Sequence, residues 1–357
     1  MGEHRPTLVR PPPVDESKAP IENALELTDL SIIGPDIFTN TRELWHPPGA
    51  RGIYGGAVIA QTLAAAQRTV PENFVVHSYH CFFVLAGDSA VPILYHVERV
   101  REGRSFCTRT VQARQRGHAI FTVTCSFVRD GSGGKVSAEH AKPMPKGVRE
   151  RAPPDEGYAE PEFLARRKRD DPFETYRCGT EDGEGKGGEG DRPENKRVQL
   201  WVRARGKISE EGGHRAHLSA LAYISDSYFI GTIPRIHRLW RYPVRVEDLP
   251  KLEPDVREFL EKENEWEGFG GSLESYKGRP AVGMMVSLDH SIYFHNSKKV
   301  KADEWMFTEM DSPWAGDGRG VVMQRIYSKD GTLLATAFQE GVVRLKQDEP
   351  ETEKAKL

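Results

Sequence analysis

The two halves of the chain resemble each other, and this duplication limits the possible folds more than any other feature. Three pairs of segments match: HSYHCFF at 77–83 with HSIYF at 290–294, Gly103-Arg104-Ser105 with Gly318-Arg319-Gly320, and the run that begins at Gly117 with the run that begins at Gly331. The offset within each pair stays between 213 and 215 residues. A constant offset over three landmarks indicates two duplicated domains in tandem.

Each half shows the same order of predicted elements, a helix followed by strands. Residues 57–69 are rich in alanine and lack glycine and proline, which predicts a helix. Alternating apolar runs predict strands near 75–85, 92–100, 105–115 and 118–129. The second half gives a strand near 197–205, a helix near 214–230, strands near 281–295, 303–311, 319–328 and 333–345, and a short helix around 254–265. The predicted class is α+β, with an antiparallel sheet wrapped around a central helix in each domain.

Polar segments set the predicted domain boundaries. We expect a disordered amino-terminal tail at 1–27, a first domain at 28–130, a linker at 131–196, a second domain at 197–346 and a tail at 347–357. The linker ends in the Gly/Glu-rich insert GTEDGEGKGGEGDRPENK at 179–196. This insert offers too little apolar surface to offset the entropy of ordering, so it is predicted to be a mobile surface loop.

Composition and missing motifs exclude several classes of protein. The net charge of −3 argues against a nucleic acid partner. No apolar run approaches the roughly 18 residues that a membrane span requires. The sequence has no HExxH motif, no CxxC pair, no Walker loop and no GxGxxG segment after a predicted strand. We therefore expect neither a metal ion nor a nucleotide redox cofactor.

Asp226 is the first candidate for chemistry, because it lies in the predicted second helix among apolar residues. Tyr223, Phe229 and Ile230 stand three or four positions away and share its helical face. An unpaired carboxylate on an apolar stripe is costly, and buried carboxylates cluster at functional sites. The alternative is a structural aspartate at a helix end or one paired with a buried arginine.

Two further polar residues lie in predicted strands of the second half. Ser287 shares one strand face with Met285 and Asp289, and on pattern alone it is a simple polar strand residue. Gln339 shares a face with the small residues Ala335 and Ala337. A buried glutamine must find hydrogen-bond partners or it costs about 1–3 kcal/mol, so a positioned polar group is plausible there.

The chain resembles the type II acyl-CoA thioesterases, a bacterial and peroxisomal family with two fused hotdog domains. The resemblance runs from about residue 28 to 345 and rests on GGAVIAQ (55–61), VHSYHCFFVLAGD (76–88), LAYISD (221–226), VSLDHSIYFH (286–295), MDSPWAG (310–316) and QEGVVR (339–344). The family's catalytic trio carries over to Asp226, Ser287 and Gln339. The resemblance also implies a fatty acyl-CoA substrate and a homo-oligomer.

The implied reaction is hydrolysis of the thioester by a water molecule that the trio activates. Asp226 would accept the water's proton, and burial would raise its pKa from about 3.9 towards the working range. Gly55 and Gly56 allow close approach to backbone N–H groups at a helix start, which could stabilise the oxyanion. His77 and His290 are additional candidates for oxyanion or substrate binding, although a core histidine bonded to the backbone is the simpler interpretation of each.

The first half is predicted to serve as a scaffold and as half of the pocket. It has Gln61 at a helix position similar to that of Asp226, and Cys125 where the second half has Gln339. For the CoA phosphates, Arg166, Arg167, Lys168 and Arg169 form one basic patch, and Arg235, Arg238 and Arg241 form another. Each patch is more simply interpreted as solvated surface.

The last three residues, Ala355, Lys356 and Leu357, resemble the peroxisomal address of the SKL type. With a lipid-metabolic function, this predicts a peroxisomal matrix protein that the import receptor recognises. Two other functions stay open, a non-catalytic hotdog protein that binds acyl-CoA and an enoyl-CoA hydratase. The sequence lacks the Asp-x-Asn-Pro-x-His type motif of hotdog hydratases, which argues against the second.

Overall fold

The computed structural model describes residues 5–47, 50–162, 171–182, 192–267 and 271–347. Among the helices of the described residues are α1 (Pro20–Ala24), α2 (Gly55–Gln67), α3 (Gly213–Ser225), α4 (Thr232–Ile236) and α5 (Pro254–Trp266). The predicted helices at 57–69 and 254–265 therefore match α2 and α5 closely. The predicted helix at 214–230 ends earlier, at Ser225.

Thirteen strands are present in the described part of the chain. In the first half they are β1 (Leu27–Asp29), β2 (Ile37–Asn40), β3 (Phe74–Phe83), β4 (Leu94–Glu102), β5 (Phe106–Gln115) and β6 (His118–Arg129). In the second half they are β7 (Phe173–Asp182), β8 (Lys196–Ala204), β9 (Val282–Ser287), β10 (Asp289–Phe294), β11 (Met306–Gly316), β12 (Arg319–Ser328) and β13 (Leu333–Leu345).

All thirteen strands join one continuous antiparallel sheet. The order is β1-β2-β4-β5-β6-β3-β10-β13-β12-β11-β8-β7, and β9 also pairs with β13. The halves meet edge to edge where β3 pairs with β10, with Tyr79 opposite Ile292 and Cys81 opposite His290. These are the strands that carry the repeated HSY and HSI segments, so the duplication places equivalent strands side by side.

Helices α2 and α3 pack antiparallel to each other in the core of this sheet. At one end, Gln67 Nε2 donates to Ser219 Oγ over 2.9 Å. At the other end, the Tyr54 hydroxyl donates to the Tyr223 carbonyl over 3.0 Å. A Cβ atom on Gly56 would lie 2.3 Å from that same carbonyl oxygen, so only glycine permits this helix spacing. The start of α2 is thereby held against the end of α3.

Side chains of the strands alternate between this core and the outer face, as the sequence pattern predicts. On β5, Cys107, Arg109, Val111 and Ala113 are buried, and the residues between them are partly exposed. Arg109 is fully buried because its guanidinium group donates to the Thr69 carbonyl over 2.8 Å and to the Thr69 hydroxyl over 2.7 Å. This side chain therefore ties β5 to the end of α2.

The structure corrects three boundaries. Residues 20–24, predicted to be disordered, form α1, because Ile21 packs into the main core with 1% of its surface exposed. The predicted linker contains β7, whose Thr175 is buried opposite Val202 of β8. The single strand predicted at 281–295 is two strands, since β9 pairs with β13 alone and β10 also pairs with β3. Residues 183–191 of the insert and the tail from 348 lie outside the described residues.

Candidate active site

Asp226 follows directly on the last residue of α3 and faces the first turn of α2. Its side chain is 9% exposed. Burial raises the pKa of its carboxyl from 3.8 to about 6, although hydrogen bonds from the Gln339 amide and the Gly56 backbone N–H oppose that rise. A carboxylate with such a pKa is ionised at neutral pH and is a better base than an exposed aspartate.

Gln339 comes from β13 and contacts this carboxylate directly. Its Nε2 atom donates to Asp226 Oδ1 over 2.7 Å and also to His290 Nδ1 over 3.1 Å. Because an ionised carboxylate only accepts hydrogen bonds, Nε2 and not Oε1 must face Asp226. The Oε1 atom of Gln339 is buried and has no hydrogen-bond partner among the described residues. A buried acceptor without a donor is costly, which marks a place for a donor such as water.

His290 is fully buried behind Gln339. Its Nε2 atom lies 3.1 Å from Ser225 Oγ, and that hydroxyl donates to the Ala222 carbonyl over 2.8 Å. Burial lowers the pKa of the imidazole to about 3, so the ring is neutral. With both ring nitrogens bonded to protein, His290 supports Gln339 and has no nitrogen left for an oxyanion or a substrate. The predicted binding role of His290 does not fit this geometry.

His77 lies on the other face of the sheet. Its Nε2 atom is 2.8 Å from Ser126 Oγ, and its ring packs edge-on against Phe106, which is 42% exposed. The core side of β6 is instead lined by its buried alternate residues, among them Cys125. A register shift after Val76 turns His77 outward. His77 therefore lies away from the Asp226–Gln339 contact, and its predicted role in oxyanion or substrate binding does not fit this geometry.

Ser287 is the last residue of β9 and pairs in register with Gly341 of β13. Residues opposite each other in an antiparallel pair project to the same face, and Gly341 is two positions from Gln339. Ser287 therefore shares the face of Gln339 and is its diagonal neighbour. Its side chain is half-buried and forms no hydrogen bond with another described residue. The structure brings Asp226 and Gln339 into contact, and places Ser287 beside them without a direct bond.

The two glycines at the start of α2 have different surroundings. The Gly56 backbone N–H faces the Asp226 carboxylate and lowers its pKa. Gly55 is the first helical residue, and the N–H of such a residue has no acceptor within the helix. Of the two glycines predicted to stabilise the oxyanion, Gly55 is therefore the one whose N–H remains a candidate for that role.

The corresponding positions of the first half carry no catalytic set, for reasons that differ in detail from the prediction. Gln61 lies in the middle of α2, where it accepts a hydrogen bond from the Tyr95 hydroxyl over 2.5 Å. The residue that follows α2, as Asp226 follows α3, is Arg68. Cys125 pairs with Tyr79 as Ala337 pairs with Ile292, so Cys125 matches Ala337 and not Gln339.

In the second basic patch, Arg235 and Arg241 are not solvated surface. Arg235 forms a bidentate ion pair with Glu267 at 2.9 and 3.0 Å, and Arg241 lies 3.1 Å from the same carboxylate. The side chains of Arg235 and Glu267 are 8% and 5% exposed. These arginines stabilise the segment after α3 and are committed to protein partners. The first patch, Arg166 to Arg169, lies outside the described residues.

Two cavities flank the helix pair. A cavity of about 1180 Å³ opens beside the first turn of α2, where Trp45, Ala57 and Tyr223 line it. A smaller one of about 470 Å³ lies at the opposite ends of the two helices, beside Arg68 and Arg215. Of these two, the larger cavity lies nearer to Asp226, because it reaches Ala57 beside Gly56 and Tyr223 in the last turn of α3, so it is the candidate for substrate.

The described residues contain no cluster of three or more histidine, cysteine or acidic side chains arranged to hold a metal ion. Within the same residues, every helix is too short or too polar to cross a membrane. Among the described residues, Ser225 joins this network through His290 Nε2, and no sequence pattern singles it out. A serine in a helix commonly bonds to the preceding turn, so its identity alone carries no signal.

Comparison with known proteins matches both halves of the chain. The acyl-CoA thioesterase N-terminal domain model matches residues 42–128, and the acyl-CoA thioesterase C-terminal domain model matches residues 141–343. Acyl-coenzyme A thioesterase 8 of Mus musculus is 35% identical over 92% of this chain and 90% of its own length. Peroxisomal acyl-coenzyme A thioester hydrolase 1 of Saccharomyces cerevisiae is 24% identical over 92% of this chain and 96% of its own.

Solved structures show the same architecture. An acyl-CoA thioesterase II, TesB2, from Mycobacterium marinum is 26% identical, with a TM-score of 0.61 over 92% of this chain and 99% of that chain. A protein with a hot dog fold from Alicyclobacillus acidocaldarius has a TM-score of 0.55 at 15% identity, over 92% of this chain and 98% of that chain. With two helices enclosed by one duplicated sheet, the chain is a double hotdog protein.

Asp226 and Gln339 both belong to the second half, and Asp226 lies against Gly55 of the first half, so their contact lies where the two hotdog units meet. The chain belongs to the acyl-CoA thioesterase family, since family models cover both halves and a 35% identical relative spans most of its length. The family and the fold that the sequence motifs predicted are therefore confirmed, and the chain is a thioester hydrolase.

Proposed function

We propose that the protein hydrolyses fatty acyl-CoA thioesters with a water molecule that Asp226, Ser287 and Gln339 hold and activate. The observation that carries this proposal is the contact between two buried groups from distant parts of the chain, Asp226 Oδ1 and Gln339 Nε2, at 2.7 Å. The unpartnered Oε1 atom of the same glutamine supplies an acceptor for a water hydrogen.

In the first step, the water oxygen attacks the thioester carbonyl carbon while Asp226 accepts one water proton. Gln339 Oε1 accepts a hydrogen bond from the other water hydrogen. The Ser287 hydroxyl, on the same face, orients the water oxygen. The negative charge that develops on the carbonyl oxygen is stabilised by the free N–H of Gly55 at the positive end of the α2 dipole.

In the second step, the tetrahedral intermediate collapses and the carbon–sulfur bond breaks. The thiolate of CoA departs and receives the proton that Asp226 took from water, which restores the carboxylate. The products are a fatty acid and free CoA. A thiolate is a good leaving group, so the site needs no strong general acid, and the proposed reaction needs no metal ion or other cofactor.

The larger cavity is the candidate entrance for the substrate, and its lining is mixed, with Arg42 and Arg205 among apolar and acidic residues. Its volume of about 1180 Å³ exceeds the usual few hundred to 1000 Å³ of small-molecule pockets. It reaches Ala57, which follows Gly56 in the sequence, and Tyr223, which lies three residues before Asp226, so the substrate would approach the trio from this side.

The direct test is a thiol-release assay with palmitoyl-CoA, run on wild type and on Asp226→Ala, Ser287→Ala and Gln339→Ala. Loss of about 10²–10⁴-fold in kcat is expected for Asp226→Ala. Wild-type turnover must survive treatment with a chelator. Palmitoyl-CoA binding without thiol release would identify a binding protein instead, and hydration of crotonyl-CoA would identify a hydratase.

A second experiment tests for an acyl-enzyme on Asp226 that water opens at the aspartyl carbonyl. After many turnovers in H₂¹⁸O, direct attack leaves the Asp226 carboxyl unlabelled, and the heavy atom appears in the fatty acid alone. An anhydride intermediate that water opens at its aspartyl carbonyl would introduce ¹⁸O into Asp226 itself, which mass spectrometry of the peptide would detect. Label in that peptide would refute the water mechanism.

We further propose a peroxisomal location through Ala355, Lys356 and Leu357, which lie outside the described residues. The name of the yeast relative supports this location. A fluorescent fusion at the amino terminus should enter peroxisomes, and removal of the last three residues should leave it in the cytosol.

Homo-oligomer formation is also proposed, with exposed Phe82 and Tyr293 of the outer sheet face as contacts, and light scattering measures it.

A further inference from the structure

Among the described residues, His290 is the imidazole that contacts the proposed catalytic groups, yet it cannot touch substrate. It is fully buried, and its ring packs edge-on against Phe229 with centroids 5.2 Å apart. Its Nδ1 atom faces Gln339 Nε2 at 3.1 Å and lies 4.0 Å from Asp226 Oδ1. Its Nε2 atom faces Ser225 Oγ. A role for His290 must therefore act through one of these neighbours.

The positions of the hydrogens follow from the chemistry of the groups. Gln339 Nε2 has two hydrogens, and the structure gives it two acceptors, Asp226 Oδ1 and His290 Nδ1. His290 Nδ1 accepts, so the single ring proton of the neutral imidazole is on Nε2 and is donated to Ser225 Oγ. The Ser225 hydroxyl then donates to the Ala222 carbonyl. The hydrogen bonds therefore all run in one direction, from Gln339 to His290, from His290 to Ser225, and from Ser225 to a backbone carbonyl of α3.

We propose that His290 is a positioning residue that locks the amide of Gln339 in the orientation that leaves Oε1 free for the attacking water. This inference rests on the proposed hydrolysis. At the start of the reaction, Asp226 alone would fix the amide, because a flipped amide would place Oε1 against an ionised carboxylate. The need for His290 arises one step later.

Once Asp226 has taken a proton from water, its carboxyl group is a donor as well as an acceptor. A flipped Gln339, with Oε1 towards Asp226, would then be stable on that side, and the amide could turn in mid-reaction. His290 Nδ1 remains a pure acceptor throughout and still requires an N–H from Gln339. The imidazole therefore holds the amide through the protonated stage, when the carboxylate no longer does.

Two substitutions separate this role from a purely structural one. In His290→Asn, the amide oxygen can stand near the place of Nδ1 and accept from Gln339, but the bond to Ser225 is lost. In His290→Gln, the side chain reaches Ser225, but the acceptor for Gln339 is lost. We expect His290→Gln to lower kcat about 10–100-fold, and His290→Asn to lower it only several-fold, with KM nearly unchanged in both.

A merely structural histidine would respond to volume and not to the position of the acceptor. His217 provides the matched control, since its Nδ1 atom accepts from the Ala302 backbone N–H at 3.0 Å and lies near Asp303. The Asn and Gln variants of His217 should both leave kcat unchanged. Equal loss of kcat in the Asn and Gln variants of His290 would overturn the proposal.

A double-mutant cycle tests the route of the effect. If His290 acts through Gln339, the His290→Gln substitution should cost little further activity in a Gln339→Ala background. Additive losses would contradict the proposal. Wild type and Asp226→Asn are run in parallel: if the wild type hydrolyses and Asp226→Asn does not, the proposed function stands, and the His290 series judges the positioning role alone.

A measurement on the wild-type protein that does not depend on turnover tests the proposal even if the variants fold poorly. Ring nitrogen chemical shifts of wild-type His290, assigned with His290→Asn, should show a neutral ring with the proton on Nε2 from pH 8 down to pH 5. A proton on Nδ1, or a charged ring in that range, would reverse the direction of the hydrogen bond to Gln339. Either result would overturn the proposal whatever the activity.

Discussion

A Cβ atom on Gly55 would lie 2.8 Å from Asp226 Oδ2, so the first residue of α2 has no room for a side chain. Gly55→Ala should therefore push the carboxylate away from Gln339 and lower kcat at least about 10-fold, because small shifts of reacting groups are costly. Gly133→Ala is the control, since a Cβ there would meet no atom within 4 Å. Equal activity of both variants in the thiol-release assay would contradict this arrangement.

The pH dependence of kcat/KM should report the ionisation of Asp226. The titratable groups around it are neutral at pH 7, namely Cys81, Tyr54, Tyr223 and His290. Burial raises the pKa of the thiol and of the two phenols, and it lowers the pKa of the imidazole. Burial raises the pKa of Asp226 to about 6. The base works only when ionised, so kcat/KM should fall as the pH drops through about 6.

Gln339 lowers the pKa of Asp226 by donating a hydrogen bond to the charged form. Gln339→Ala should therefore move the midpoint of the acid limb to higher pH, in addition to reducing the plateau. A pH series of kcat/KM on the purified variant measures both effects. A midpoint that stays in place or moves down would show that the amide does not stabilise the carboxylate.

Local structure followed from the sequence because periodicity reports on burial. The alanine-rich run at 57–69 lies within two residues of α2, and the alternating segments became β3 to β6. The apolar stripe singled out Asp226, yet the helix ends one residue before it. A helix end depends on which backbone carbonyls find partners, and pattern alone does not show that.

Contacts between residues far apart in the sequence could not be predicted from local patterns. The approach of Gly55 to Asp226 requires α2 and α3 to pack antiparallel, and no local pattern encodes that contact. Arg235 and Arg241 looked like surface cations because their partner, Glu267, arrives from the far end of α5. The family motifs supplied the trio, whereas the network through His290 and Ser225 needed coordinates.

Asp226 should reduce the stability of the folded protein at the pH where it works. Its folded-state pKa of about 6 is above its ordinary value of 3.8, so between these values the folded state binds more protons than the unfolded state. Stability therefore falls as the pH rises from about 4 through 6. Asp226→Asn removes this titration and should raise the free energy of unfolding by an amount on the order of 2–3 kcal/mol at pH 8.

The same variant should show no such gain at pH 4, where Asp226 is protonated in the folded state. Urea denaturation at both pH values provides the measurement. An Asp226→Asn protein that is less stable than wild type at pH 8 would mean that the carboxylate stabilises the fold. The cost of burial would then be absent, and with it the reason for the raised pKa.

Glu267 presents the opposite case, a buried carboxylate whose partners outweigh burial. Burial alone would raise its pKa, but the guanidinium groups of Arg235 and Arg241, with that of Arg177, hold the pKa well below its ordinary value. Glu267→Gln should lower the free energy of unfolding by about 3–5 kcal/mol, because it leaves buried arginines without their counter-charge. Urea denaturation at pH 7 measures this loss.

The loss should be the same at pH 6 and pH 8, because a carboxyl with a lowered folded-state pKa is ionised in both folded and unfolded states there. The wild-type advantage should shrink only below about pH 4.5, the ordinary value for glutamate. Glu261→Gln is the control, since the exposed pair of Glu261 and Arg257 on α5 should contribute nothing measurable. If both variants unfold at the wild-type urea concentration, the buried arginines have another counter-charge, and Glu267 does not hold the segment after α3 in place.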